Sequence, residues 1–543
     1  MSTSSAERAD PRPQDNPALP SLTFQQVREA LLARREILLA DLREEDPFAQ
    51  GHPLWAANFP VGRLELEAWD RIPRRDTTIV VYGQDGGTDL APIGAAKLKQ
   101  LGYTNVHLLE AGLDGWIAAG GELFIDVNVP SKAFGELVEA KRHTPLLDAE
   151  KVKALLDAGD DAVVVDARRF DEYQTMNIPG SVSVPGAELV LRIRELAPDP
   201  KTKVIVNCAG RTRSIIGTQS LINAGIPNEI VGLRNGTIGW TLAGLELEKG
   251  ADRSFPPVSA ATEAAARTAA RNVADRAGVR RIAANKVETL AETHRTLYRF
   301  DVRTQPEYVA GHLPDFLHVP GGQLVQETDH YAPVRGARVV LADDDGVRAD
   351  MSASWLAQMG WDVFVADGAK AFLSETGSRK PNIPDAGPVE TLTPHQLSDL
   401  LNSSESADVT VLDFTASANY VRRHIPGAAF ALRSQLSKAV EKGTNQFVLT
   451  CGTSALARFV ASDLKSLTDV PIRVVEGGTT AWADAGFPVE QGETRLVSPR
   501  IDRYRRPYEG TDAPVAAMQA YLDWEYGLVN QLDRDGTHFF NVI

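Results

Sequence analysis

Cysteine is nearly absent: Cys208 and Cys451 are the only two in 543 residues. They lie far apart in the chain, so neither a disulfide framework nor a cysteine metal site is expected, and a reducing compartment, the cytoplasm, suits the chain best. Long apolar runs are missing as well. No window holds the 18 consecutive apolar residues of a membrane span, so no membrane partner is expected. Nor is there a basic excess: 57 Lys and Arg face 72 Asp and Glu, a net charge of -15. That balance disfavours a dedicated nucleic-acid binder, whose phosphates must be met by a basic face, and leaves any anionic ligand to be captured by local groups. The opening "MSTSSAERADPRPQDNPALP" lacks an apolar h-region and reads as a disordered arm over residues 1–20. What remains, 43% hydrophobic and 24% charged, is of ordinary globular composition and too long for one core.

The chain repeats itself. Four stretches share a strand ending in Asp, a Gly/His/Pro turn, a second strand feeding a loop and a helix, and a third strand before Gly and an aromatic. The first element reads "LLADLREEDPFAQGH" at Asp41, "VVVDARRFDEYQTMNIPGSVSVPG" at Asp166, "YRFDVRTQPEYVAGHLPDFLHVPG" at Asp301 and "TVLDFTASANYVRRHIPGAA" at Asp413. Alignment of the second element places Gly83, Cys208, Asp343 and Cys451 at one position. Asp41 to Gly83, Asp166 to Cys208 and Asp301 to Asp343 are each 42 residues apart, and Asp413 to Cys451 is 38. Strand-length apolar runs alternating with helix-length amphipathic segments predict α/β units, each a small doubly wound parallel sheet flanked by helices. The expected bounds are 21–128, 140–250, 284–380 and 388–492, with an alanine- and arginine-rich helical linker over 251–283. A helical tail over 493–543 carries Tyr521, Trp524 and Tyr526 and is expected to dock on the array as a packing element.

Asp-x-Arg, then "GHLPD" or "HIPGA", then "CAGRTRS" and a helix, then "GG…W…AGFPV" resemble, in that order, the rhodanese-domain family of sulfurtransferases. All four units carry the resemblance, which implies four tandem rhodanese-like domains. It also implies a cysteine that takes a sulfane sulfur from a donor as a persulfide and passes it to a thiophilic acceptor, cyanide or a thiol.

Such chemistry needs a thiolate, and a free cysteine near pKa 8.5 is mostly protonated at neutral pH. The loop after Cys208 suits it. A strand-to-helix loop aims backbone N–H groups at one point and adds the positive end of a helix. Ala209 and Gly210 let the backbone curl around the sulfur, Thr212 and Ser214 supply hydroxyls, and Arg211 and Arg213 supply charge for an anionic donor such as thiosulfate. Arg168, in "DARR", either faces the substrate or fixes the strand end, with the structural role favoured. No metal or other cofactor is expected, and protein partners are left open.

The other loops differ. Cys451 heads "CGTSALARF", which resembles the Cys-Gly-Ser/Thr pattern of mercaptopyruvate sulfurtransferases but departs from it at Ser454, Ala455 and Leu456. Its Asp-x-Arg element is "DFT", so the arginine is gone, and both a catalytic and a structural cysteine stay open there. Gly83 and Asp343 have no thiol and cannot form a persulfide. Asp343 to Asp345 repel an anionic donor, and a solvated acidic loop is favoured there over a cation site. The "GQDGG" loop lacks the lysine and Ser/Thr of a phosphate-binding loop. Two rival readings are weighed. A phosphatase-like loop needs an arginine six residues after the cysteine, where Ser214 stands and Arg213 comes one residue early. A non-catalytic sulfur-carrying or binding array is suggested by the two units without cysteine.

Overall fold

The computed structural model describes residues 19–543 apart from 86, 405, 442 and 511; of the arm expected over 1–20, residues 1–18 lie outside this range. Four five-stranded parallel sheets are threaded alike. With a unit's strands numbered along the chain, the order across each sheet is 1-5-4-2-3. In the second unit this runs Leu146–Leu147, Ile230–Leu233, Lys203–Asn207, Ala162–Asp166, Val182–Ser183. Helices cover both faces, which is why the central strands are nearly unbroken apolar runs; Val204, Ile205 and Val206 are fully buried.

Each sequence motif has a structural job. The Asp that ends the second strand is fully buried in all four units. In three of them the arginine two residues on grips it: Arg168 Nε and Nη2 donate to Asp166 at 2.9 and 2.7 Å, and Nη2 also reaches the Met176 carbonyl. Arg43 with Asp41 and Arg303 with Asp301 repeat the arrangement. The turn histidines stack on an aromatic ring four residues earlier, Phe48 on His52, Tyr308 on His312 and Tyr420 on His424. The closing tryptophans, Trp116, Trp240 and Trp482, are buried and donate Nε1 to the carbonyl six residues on.

Two connections differ from the expected bounds. Arg280–Ala283, at the end of the stretch read as linker, pairs with Asp362–Asp367 as the edge strand of the third sheet, and the linker helix itself is Ala260–Arg276. A helix unmarked in the repeat, Val129–Arg142, joins the first two units and packs against Thr212–Asn223 and the tail helix Val515–Asp535.

The units dock in pairs through the turn after the third strand. In the second and third units Gly186 and Gly322 meet so closely that a Cβ on Gly322 lies 3.2 Å from Gly186 N. In the first and fourth, Arg433 donates to the Gly62 carbonyl at 3.1 Å and to both Glu65 oxygens at 2.8 and 2.9 Å. One core, with Leu38, Phe59 and Ile79 on one side and Tyr298 and Val339 on the other, joins the first unit to the third.

Candidate active site

The four aligned positions fall at one place in the fold. Gly83, Cys208, Asp343 and Cys451 each follow the fourth strand, in the middle of its sheet: Ile79–Tyr82, Lys203–Asn207, Arg338–Ala342 and Gln446–Thr450. A short loop then opens Thr212–Asn223, Arg348–Gln358 or Ala455–Leu464. In the first unit a small hairpin of Gln84–Asp85 with Thr88–Asp89 stands there instead. Three of the four residues by which the fourth unit's spacing is shorter come from the helix before its fourth strand, Leu436–Val440, five residues where Leu189–Leu196 has eight.

Cys208 is 2% exposed. Its carbonyl accepts from Thr237 N at 2.9 Å, and that of Ala209 accepts from Ile238 N at 3.0 Å, so the helix after the fifth strand props the loop. Only glycine allows this approach at 236, where φ is +53° and a Cβ would overlap the Cys208 carbonyl. Burial pushes the Cys208 thiol up; the Arg213 guanidinium and the hydroxyl and N–H of Ser214 pull it back, and Asp166 adds to the rise.

The loop residues part company in what they touch. Arg213 donates to both oxygens of Glu172 at 2.6 and 3.0 Å. Burial alone raises a carboxyl, yet Arg213, Arg168 and Arg169 together hold Glu172 at about 2. Arg211 faces elsewhere. Its Nε and Nη2 donate to Glu136 at 2.7 Å each, Nη1 reaches the Tyr526 hydroxyl at 2.9 Å, and the Tyr526 ring lies 4.1 Å away. Of the two arginines expected to charge the cradle, Arg213 therefore acts on the sulfur, and Arg211 ties the loop to the connecting and tail helices. Thr212 opens its helix against Gly135, and the Ser214 hydroxyl donates to the Arg211 carbonyl at 2.8 Å. Arg168, fully enclosed, is the strand-end clamp described above, its outer edge lining the cavity beside Arg213.

The tail covers this loop. Tyr508 and Tyr521 pack with Ala209 in one apolar cluster, and the Tyr521 ring stands where a Cβ of Gly210 would lie, 3.2 Å from Cε1. Glu525, fully buried, accepts from the Tyr521 hydroxyl at 2.7 Å through one oxygen and has no partner for the other. Burial and nearby Glu136 push Glu525 to about 8. The expected docking of the tail through Tyr521 is found, but that it covers the Cys208 loop, and the parts of Tyr508 and Glu525, were missed, because no spacing connects them to residue 208. Glu172 carried a signal: it sits at the same offset from its Asp as Glu307 in the third unit, where Glu307 holds Arg348 just as Glu172 holds Arg213.

In the third unit the same loop holds a carboxylate. Asp343 accepts from Gly346 N at 3.0 Å, Val347 N at 3.1 Å and Ala349 N at 2.8 Å. Asp345 and Asp344 pair with Arg348, so the acidic run is satisfied internally and only partly solvated. In the fourth unit burial raises Cys451, the N–H groups of Ala457, Thr453 and Leu456 lower it, and no arginine takes part. Asp413, lacking the clamp because Thr415 stands at its arginine position, is pushed by burial to about 6. Ser454 opens the helix with φ +71°, a backbone that side chains rarely adopt. No helix among the described residues is long and apolar enough to cross a membrane.

A family model for the rhodanese-like domain matches residues 23–119, 148–243, 283–371 and 393–485, more than half of the chain. The fold and sequence are similar to the crystal structure of a thiosulfate sulfurtransferase from Pseudomonas aeruginosa, 62% identical over 97% of this chain and 100% of that one, with a TM-score of 0.94. A 95-residue stretch is 34% identical to an HTH-type transcriptional regulator of Mycobacterium tuberculosis; it is 18% of this chain and spans 41% of the regulator's length. The repeated topology, the matched segments and the common position of Gly83, Cys208, Asp343 and Cys451 lead to one assignment: this chain belongs to the rhodanese-like domain family, with four copies in tandem.

Proposed function

We propose that the chain is a sulfurtransferase in which Cys208 carries sulfane sulfur from a small anionic donor such as thiosulfate to cyanide or a thiol. The observation that supports it most is the place of Cys208, at the head of a strand-to-helix loop where the charge of Arg213 and the hydroxyl and N–H of Ser214 oppose the burial that raises its thiol. The likeness to the P. aeruginosa thiosulfate sulfurtransferase along nearly the whole chain points the same way. The Cys208 thiolate attacks the outer sulfur of thiosulfate; a Cys–S bond forms, the S–S bond of the donor breaks, and sulfite leaves with the electron pair. Cyanide then attacks the outer persulfide sulfur, thiocyanate departs, and the thiolate is restored. Arg213 balances charge in both steps, and the thiol proton passes to solvent before the first.

A mercaptopyruvate-type transfer at Cys451 is the alternative. The absence of an arginine and the unclamped Asp413, which raises Cys451 further, weigh against it. The test is thiocyanate production from thiosulfate and cyanide by the wild type and by each cysteine-to-serine variant. Activity that survives Cys208→Ser overturns the assignment to Cys208.

A further inference from the structure

Beside Arg213 lies a polar cavity of about 260 Å³ built from three parts of the chain. Arg213, Arg168 and Glu172 come from the second unit, Gln326 and Glu327 from the third, and Arg506, Tyr508 and Glu509 from the tail. Four of these bear on a ligand. Arg213 and Tyr508 line the cavity while Cys208 lies just behind its wall, and the charge of Arg213 bears on both. Tyr508 packs beside Ala209, the residue after Cys208, and its hydroxyl lies in the fields of Arg506 and Arg213. Burial pushes that phenol well above its usual range and keeps it an O–H donor. Arg506 is tied through Nη1 to Glu509. Gln326, 8% exposed, has a side-chain oxygen without a partner, and turning the amide over presents its NH₂ group instead. Three of the four acids in the wall are already matched, Glu172 by Arg213, Glu509 by Arg506 and Arg503, and Asp171 by Arg169. Glu327 of the third unit has no ion pair among the described residues and sets the edge that an anion avoids.

We infer that this cavity is the donor subsite of Cys208: Tyr508 and Arg506 of the tail and Gln326 of the cysteine-less third unit bind and orient the oxyanion head of a small sulfur donor, so that its outer sulfur faces the Cys208 loop. The inference rests on the sulfur-transfer reading and deepens it. It gives the third unit a part in the reaction although it holds no thiol, and it makes Tyr508, Arg506 and Gln326 positioning residues for a compact dianion rather than for a bulky or uncharged donor.

The test is thiosulfate binding, measured by calorimetry on the full chain carrying Cys208→Ser, which binds without reacting. One site is expected, weakened about tenfold by Arg506→Gln and several-fold by Tyr508→Phe, with Gln326→Leu smaller, as expected for the loss of one charged or neutral hydrogen bond each. In the Cys208-bearing protein the same substitutions raise KM for thiosulfate and leave discharge of a preformed persulfide to cyanide unchanged. Equal binding in the parent and all three variants, or no binding in the parent, overturns the subsite. Gln326→Leu keeps the test decisive if a tail variant fails to fold. Persulfide on the wild type with variant-independent binding retains sulfur transfer and removes the subsite; Tyr508-dependent binding without persulfide does the reverse.

Discussion

The second and third units are built alike around their central loops and filled differently. Asp166 with Arg168 and Arg213 with Glu172 recur as Asp301 with Arg303 and Arg348 with Glu307. At the loop head one unit carries a sulfur and the other a carboxyl group that accepts three loop N–H groups. The loop is thus a set of N–H donors that a sulfur or a carboxyl group can fill; burial and Asp345 push the Asp343 carboxyl well above the usual carboxylate range. In the proposed transfer the donors of the second unit serve a Cys208 thiolate or persulfide; in the third the chain's own Asp343 occupies them. The fourth unit shows the converse loss: it keeps the thiol and gives up both arginines, and its Asp413 is left buried without a cation.

The largest effect that sharpens this comparison is Cys208→Ser, expected to lower thiocyanate production about a thousandfold or more, with Cys451→Ser within about twofold of wild type. Next, Asp343→Ala leaves the N–H groups of Gly346 and Ala349 without an acceptor, Val347 N still donating to Asp345, and is expected to cost about 2–4 kcal/mol in denaturant unfolding, with Cys208 reactivity unchanged. An unaffected midpoint contradicts the view that the carboxyl group plugs the loop. Arg213→Gln removes the charge that pulls the Cys208 thiol down, so alkylation by iodoacetamide at pH 7 should slow about tenfold. The matching Arg348→Gln should leave that rate alone and lower the melting temperature, because Arg348 also joins the third unit to Glu188 of the second.

The smallest effect concerns pH. Asp413 is pushed up to about 6 by burial, from an ordinary value of 3.8, so the folded state holds its proton more tightly than the unfolded one and loses stability as pH rises from about 4 to 6. Asp413→Asn should therefore raise the melting temperature, fully above pH 6 and not at all below pH 4. A gain at low pH instead would mean that Asp413 is stabilised as an anion.

Much of this was readable in the residues. The repeat located the loop position in all four units, and the Asp-x-Arg pairs and turn histidines recur because each closes the same corner of the same sheet. The sequence could not tell Arg211 from Arg213, two residues apart in one motif. Their roles part because Glu136 lies on a connecting helix outside the repeat and Glu172 inside it. Tyr508 and Glu525, and the place where Tyr521 docks, were hidden for a related reason: they meet the loop at Ala209 and Gly210 by tertiary docking of the tail, which leaves no periodic trace. The acidic run at Asp343 read as a solvated loop because Asp343 is held by backbone N–H groups, which every residue has, and Asp344 and Asp345 by Arg348 folding back from the following helix.

Of the two cysteines, Cys208 alone is proposed to carry the sulfur. Intact-protein mass after thiosulfate treatment tests it most directly, on wild type, Cys208→Ser and Cys451→Ser. A gain of one sulfur atom on wild type and Cys451→Ser, absent from Cys208→Ser and lost on adding cyanide, is the predicted result. Sulfur retained by Cys208→Ser, or taken up by none of the three, contradicts it.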